Sequence, residues 1–160
     1  MSVEERLRQL GISLPAPPSA LASYAPYFAL KEEDLRSSRL IYVSGQLPLE
    51  NGKVKYAGKL PRDLTVDQGI QSAKLCAINA LSVLRTAAGS LDAVQGIVRV
   101  EGFVNSDPEF TEQAKVVNGA SDLLVEVFGE KGKHSRFAVG VSSLPLNAAT
   151  EIALIALVRS

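Results

Sequence analysis

The chain has 160 residues, 46% of them apolar and 21% charged, the balance of an ordinary globular protein that forms one domain with a real core. Basic and acidic residues stand at 17 each, so no net field draws the protein to nucleic acid or to an anionic membrane. One cysteine, Cys76, and one histidine, His134, exclude an internal disulfide and leave zinc too few ligands.

The start, MSVEERLRQL, is charged and amphipathic rather than basic and then continuously apolar as in a secretory signal. No stretch reaches the roughly 18 apolar residues of a membrane span, and a cytoplasmic protein is expected. In the same segment Ser2 and Glu5 have the spacing of a capping box, Val3, Leu7 and Leu10 share a face, and Gly11 can end a short helix. Pro15, Pro17, Pro18 and Pro26 then exclude a regular helix and favour an extended arm. Leu21, Tyr24, Tyr27 and Phe28 are large for a free tail, so the second half of that arm is expected to pack.

Arg39 to Gln46, RLIYVSGQ, reads as a strand stopping at Gly45, and Asn51 to Asp63 reads as a loop. From Thr65 the apolar spacing becomes three and four through Ile70, Ala73, Ala77, Leu81, Leu84 and Ala88, and Gly89 closes the run. The small residues on that helix would let a sheet approach closely. Val94 to Val104 alternates as a strand, with Arg99 and Glu101 on one side and Val98, Val100 and Val104 on the other. A second helix is expected from about Pro108 to Gly129, capped by Asp107. Two more strands follow, about Ser135 to Ser142 and Thr150 to Val158, joined by SLPLNAA.

The last strand is apolar on both faces after its first two residues, so it belongs in the middle of a sheet. This order predicts an α+β domain spanning residues 1–160, with both helices on one face of a mixed sheet. The other face then needs a cover, and a second copy of the chain in a closed ring would supply it.

Two charged residues stand out in the apolar C-terminal part. Alternation places Arg136, Ala138, Gly140 and Ser142 on one face, so the arginine heads a row of small residues with room for a small carboxylate against its planar fork. An arginine at a strand end facing water, or paired across an interface, fits the same spacing. Glu151 opens the most apolar strand, where burial would raise its pKa and suit it to proton transfer; a solvated strand end is the plainer reading. If the last two strands paired as a hairpin, Arg136 and Glu151 would lie roughly 15–20 Å apart, at about 3.3 Å per residue. A shared site then requires another pairing or a neighbouring subunit.

Ser44 and Gly45 offer a hydroxyl and an accessible backbone where the first strand ends. Asn118 in the second helix and Tyr24 in the arm have plain structural readings on their own. His134, Cys76 and Asp107-Pro108 have no spacing that supports catalysis. No P-loop, dinucleotide fingerprint or nucleophile elbow is present, and no cofactor is expected.

YVSGQLP at Tyr42–Pro48, the two-helix layout, and R-x-x-V-x-V-x-x-L-P from Arg136, followed by a strand with Glu151, together resemble the reactive intermediate deaminase family, also called Rid or YjgF-like and formerly endoribonuclease L-PSP. The resemblance runs from about residue 18 to 158, and the N-terminal helix and arm, residues 1–23, resemble its longer branch. It implies a chorismate-mutase-like fold (bacillus type) assembled as a homotrimer with clefts between subunits. It also implies hydrolysis of enamines and imines such as 2-aminoacrylate to 2-keto acids and ammonia.

On that pattern Arg136 would hold the substrate carboxylate and Glu151 would position or activate water. Tyr24, Ser44, Gly45 and Asn118 would line the cleft. The chain departs from the family in carrying Ala138 where a cysteine is frequent and Gly140 where a charged residue is common, and Asn118 aligns only after a one-turn lengthening of the helix. A non-catalytic trimer binding a small carboxylate metabolite is the alternative. The ribonuclease activity attributed to some relatives ranks below both, because backbone phosphates are met by clustered positive charge.

Overall fold

The computed structural model describes residues 37–159. The expected N-terminal helix, the proline-rich arm and Tyr24 lie outside the described residues. The strands are β1 (Ser38–Gln46), β2 (Leu49–Glu50), β3 (Lys53–Val54), β4 (Val94–Asn105), β5 (Ser135–Val141) and β6 (Thr150–Arg159); the helices are α1 (Val66–Ala88) and α2 (Gln113–Phe128). Strands β1, β6, β4 and β5 form one sheet in that spatial order, with β6 antiparallel to both neighbours and β5 parallel to β4.

Helix α1 starts where the change of period predicts. The Thr65 hydroxyl accepts from the Gln68 amide at 3.2 Å. The Gln68 side chain in turn accepts from the Thr65 amide at 2.8 Å, and this reciprocal cap satisfies two otherwise orphaned donors. The buried stripe of Ala73, Cys76, Ala77, Ala80, Leu81 and Leu84 lies on the sheet. The small side chains allow the expected close approach: Ser72 Oγ is 2.7 Å and Cys76 Sγ 3.3 Å from Thr150 Oγ1 of β6.

Residues Val100, Val104, Ile152, Leu154 and Ala156 point to the same side and complete the core with Val116, Val117, Ala120 and Leu124 of α2. Both helices therefore cover one face of a mixed sheet, the α+β layout predicted from element order.

Four local expectations are corrected. The loop from Asn51 holds a small hairpin, β2–β3, whose Asn51-Gly52 turn has φ of 52° and 75°. Positive φ at both positions is the left-handed pair that a two-residue hairpin turn requires. A bulge between Ile97 and Arg99 shifts the phase of β4, so Ile97 rather than Val98 enters the core beside Val100.

Helix α2 begins at Gln113, not near Pro108, because the preceding turn tucks Phe110 into the core at 7% exposure. Asp107 is accordingly no cap: its amide donates to the Leu60 carbonyl at 2.8 Å and its carboxylate faces Arg62 at 3.8 Å.

The pairing of β5 and β6, left open by the sequence, is not a hairpin. The crossover through α2 lays β5 parallel to β4 on its outer side. Apolar on both faces, β6 takes the sheet interior between β1 and β4, with Ile152, Leu154 and Ala156 buried under the helices and Glu151, Ala153 and Ile155 half-buried on the other face.

Candidate functional site

Five of the six residues singled out from the sequence lie among the described residues, and the fold sorts them into two groups. The first forms where β1 ends beside the start of β6. Thr150 faces α1, so the next residue, Glu151, projects from the opposite, helix-free face, in register with Phe103 of β4.

Pairing of β1 shifts between Val43 and Gln46, and the bulge releases Ser44 and Gly45 from the ladder. The Gln46 side-chain amide holds their carbonyls at 3.0 and 3.2 Å. The Glu151 side chain lies directly against the Gly45 backbone: a Cβ there would stand 2.7 Å from the carboxylate carbon. Glycine is what lets the half-buried carboxylate and the exposed Ser44-Gly45 backbone share one spot.

The second group sits at the edge of the sheet on the helix-bearing face. Arg136 is in register with Val100, whose side chain is core, so alternation sends the guanidinium toward α2. Nη1 donates to Ser121 Oγ at 3.0 Å and Nη2 to the Ala114 carbonyl at 3.1 Å. Asn118 lies between these two on the same stripe of α2, and its buried Oδ1 has no hydrogen-bond partner among the described residues.

Beyond Arg136 the row of small residues leads to a cavity of about 300 Å³ lined in part by Ser106, Gln113, Gly140 and Ser142. A side chain at residue 140 would fill it, since a Cβ there meets Ser106 Oγ at 2.6 Å and Gln113 Nε2 at 2.9 Å.

Within one protomer the groups do not meet. Arg136 is level with Val100 and Leu154, two strands across and three residues along from Glu151, a backbone separation of roughly 14 Å. Their side chains also leave opposite faces of the sheet.

Two further residues belong to the arginine group and were not selected from the sequence. His134 is fully buried; its Nδ1 lies 2.6 Å from the Gly132 carbonyl and its Nε2 2.9 Å from Ser121 Oγ. Burial lowers the pKa of His134 and the charge of Arg136 adds to that, against the bond to Gly132. The available signal was a serine in the apolar stripe Val117, Ser121, Leu124, because a buried hydroxyl requires a partner. Cys76 is a different case: burial pushes its thiol up to about 12, which leaves it protonated and inert. Among the described residues no group of three His, Cys, Asp or Glu could hold a metal ion.

The family described as "YjgF/chorismate mutase-like, putative endoribonuclease" matches residues 4–158. The chain is 43% identical over 151 residues to Protein TCP17 of Trypanosoma cruzi, covering 94% of this chain and 90% of that protein. Its fold resembles the crystal structure of Atu1372, a protein of unknown function from Agrobacterium tumefaciens, at 42% identity and TM-score 0.74, covering 98% of this chain and 93% of that one. A Shewanella oneidensis protein, described in the same endoribonuclease terms, follows at 38% identity and TM-score 0.70, with 96% and 97% covered. The mixed sheet with two helices on one face and the match along nearly the whole chain place this protein in the YjgF-like, or Rid, family of chorismate-mutase-like proteins.

Proposed function

We propose that the protein is an enamine/imine deaminase that hydrolyses small reactive 2-imino acids to 2-keto acids and ammonia in the cytoplasm. Its clefts lie between the subunits of a homotrimer. The observation that carries the reading is the division of the candidate residues: a guanidinium on one face of the sheet and a carboxylate on the other, each part of an incomplete site. A neighbour that lays its helix-free face against the Arg136 edge unites them.

That face has the character of a subunit contact. Tyr42, Val139 and Leu40 are 71%, 41% and 38% exposed there, beside the edge-to-face pair Phe103–Phe137. Apolar surface of this kind is usually covered by a partner.

In the cleft, Arg136 grips the substrate carboxylate through charge-assisted hydrogen bonds and fixes the C=N carbon. Glu151 orients a water and takes its proton as oxygen bonds to that carbon. That proton passes to nitrogen to give a carbinolamine, the remaining hydroxyl proton then moves to nitrogen through the same carboxylate, and the C–N bond breaks as the carbonyl forms, so that one imine and one water become one keto acid and one ammonia. Ser44, Gly45 and Asn118 line the cleft, with Tyr24 of the arm. The cavity beside Gly140 accepts the substrate side chain. No cofactor enters the sequence of steps.

The test is to generate 2-imino acids with an amino-acid oxidase and follow the loss of the imine. Acceleration by wild type that disappears in Arg136→Ala and Glu151→Gln is the expected result. A wild type that binds a 2-keto acid yet leaves imine decay unchanged overturns catalysis in favour of carboxylate binding without turnover.

A further inference from the structure

The Arg136 guanidinium is held by a buried chain of hydrogen bonds whose direction can be deduced. The Gly132 carbonyl can only accept, so His134 Nδ1, 2.6 Å away, carries a proton. With the ring neutral, Nε2 is a lone-pair acceptor, and the Ser121 hydroxyl donates a hydrogen bond to it across 2.9 Å. The hydroxyl is thereby aimed away from Arg136, and its oxygen lone pairs are left to accept from Nη1 at 3.0 Å. The polarity runs from the guanidinium through Ser121 and His134 to the backbone of Gly132. Each link requires the next: a serine whose proton pointed at the arginine would repel it.

From this geometry we infer that Ser121 and His134 are positioning residues for Arg136, a relay that sets the plane of the guanidinium for a carboxylate ligand. The inference rests on the carboxylate-binding role given to Arg136 above. Nη2 is anchored one turn and more away on the same helix, at the Ala114 carbonyl. Two fixed points on α2 define the plane of a rigid fork, and a planar fork recognises a planar carboxylate only when that plane is set. Removal of the hydroxyl frees one of the two points while leaving the charge in place.

The experiment measures 2-keto acid affinity by calorimetry, and imine hydrolysis, for wild type, Ser121→Ala and Ser121→Thr. Ser121→Ala is expected to weaken keto-acid binding, and to raise KM, by roughly tenfold, with kcat changed much less. Ser121→Thr, which keeps a hydroxyl, is expected to restore most of the loss. Equal loss in both variants, or unchanged affinity in a folded Ser121→Ala, overturns the relay.

Nitrogen NMR of His134 supplies an arm independent of activity, with a neutral ring protonated at Nδ1 expected in wild type and a proton on Nε2 refuting the relay even if the enzyme turns over imines. A wild type that binds no keto acid while His134 shows the expected tautomer refutes the ligand role of Arg136 instead, and the two failures are thus distinguishable.

Discussion

The two faces of the sheet are built on different principles. The face under α1 and α2 is a dry core of Leu84, Ile97, Leu124, Ile152 and Leu154, each essentially without exposed surface. The opposite face carries Tyr42, Phe103, Phe137 and Val139 around the ion pair of Arg99 and Glu101, 2.9 Å apart, with the Arg99 guanidinium 5.2 Å over the Phe137 ring. The first face stores stability in the folded chain itself. The second sets aromatic and aliphatic side chains around a single ion pair, a mixture suited to a contact with another subunit. The proposed catalytic pair follows the same division, since Arg136 leans to the helix side at the sheet edge and Glu151 stands on the other.

The sharpest way to probe that division is to separate the two charges genetically. Arg136→Ala and Glu151→Gln are each expected to lower imine hydrolysis on the order of a thousandfold. Unfolding the two inactive proteins together and refolding them as a mixture is expected to recover about a quarter of wild-type activity, because about that share of clefts between random neighbours then holds both native groups. No recovery refutes a site shared between neighbouring subunits.

Next in size is stability. Ile152→Ala on the helix face is expected to cost about 2–5 kcal/mol in denaturant unfolding. Tyr42→Ser on the other face is expected to change protomer stability by less than about 1 kcal/mol, while shifting the mass measured by analytical ultracentrifugation toward the monomer.

A smaller effect is expected from Gly45→Ala. The added methyl group must displace the Glu151 carboxylate, and a roughly tenfold or greater fall in kcat is expected with the melting temperature nearly unchanged.

The smallest effect concerns His134. Its folded pKa is lowered, first by burial, so below the unfolded value of about 6.5 the unfolded chain binds the extra proton. Stability is therefore full above that pH and falls as the pH drops toward the folded pKa. Thermal melts from pH 7 to pH 5 are expected to show this decline, and His134→Gln is expected to flatten it.

Much of the architecture was legible because it is locally encoded. The change from period two to period 3.6 at Thr65, the glycine at residue 89 and the two-sided apolarity of Ile152 to Val158 each located an element to within a residue or two. That Arg136 shares a strand face with Ala138 and Gly140 followed from alternation alone. Where reading failed, a tertiary demand overrode a local signal. Asp107 has the look of a helix cap, but burying Phe110 consumes the turn that follows it. Val98 continues the alternation on paper, yet the bulge beside it gives the core position to Ile97. His134 showed no catalytic spacing because its partner, Ser121, is 13 residues earlier on another element.

The amino-acid sequence by itself determined where the two helices and the four long strands lie and the family to which the chain belongs, because propensity, capping and periodicity act between near neighbours. Only the tertiary structure decided that β4 stands between β5 and β6, that Arg136 and Glu151 therefore leave opposite faces, and that Ser121 and His134 converge on the guanidinium. Those outcomes depend on the crossover through α2 and on the place of β6 in the sheet interior, and such long-range closure is invisible to any local pattern.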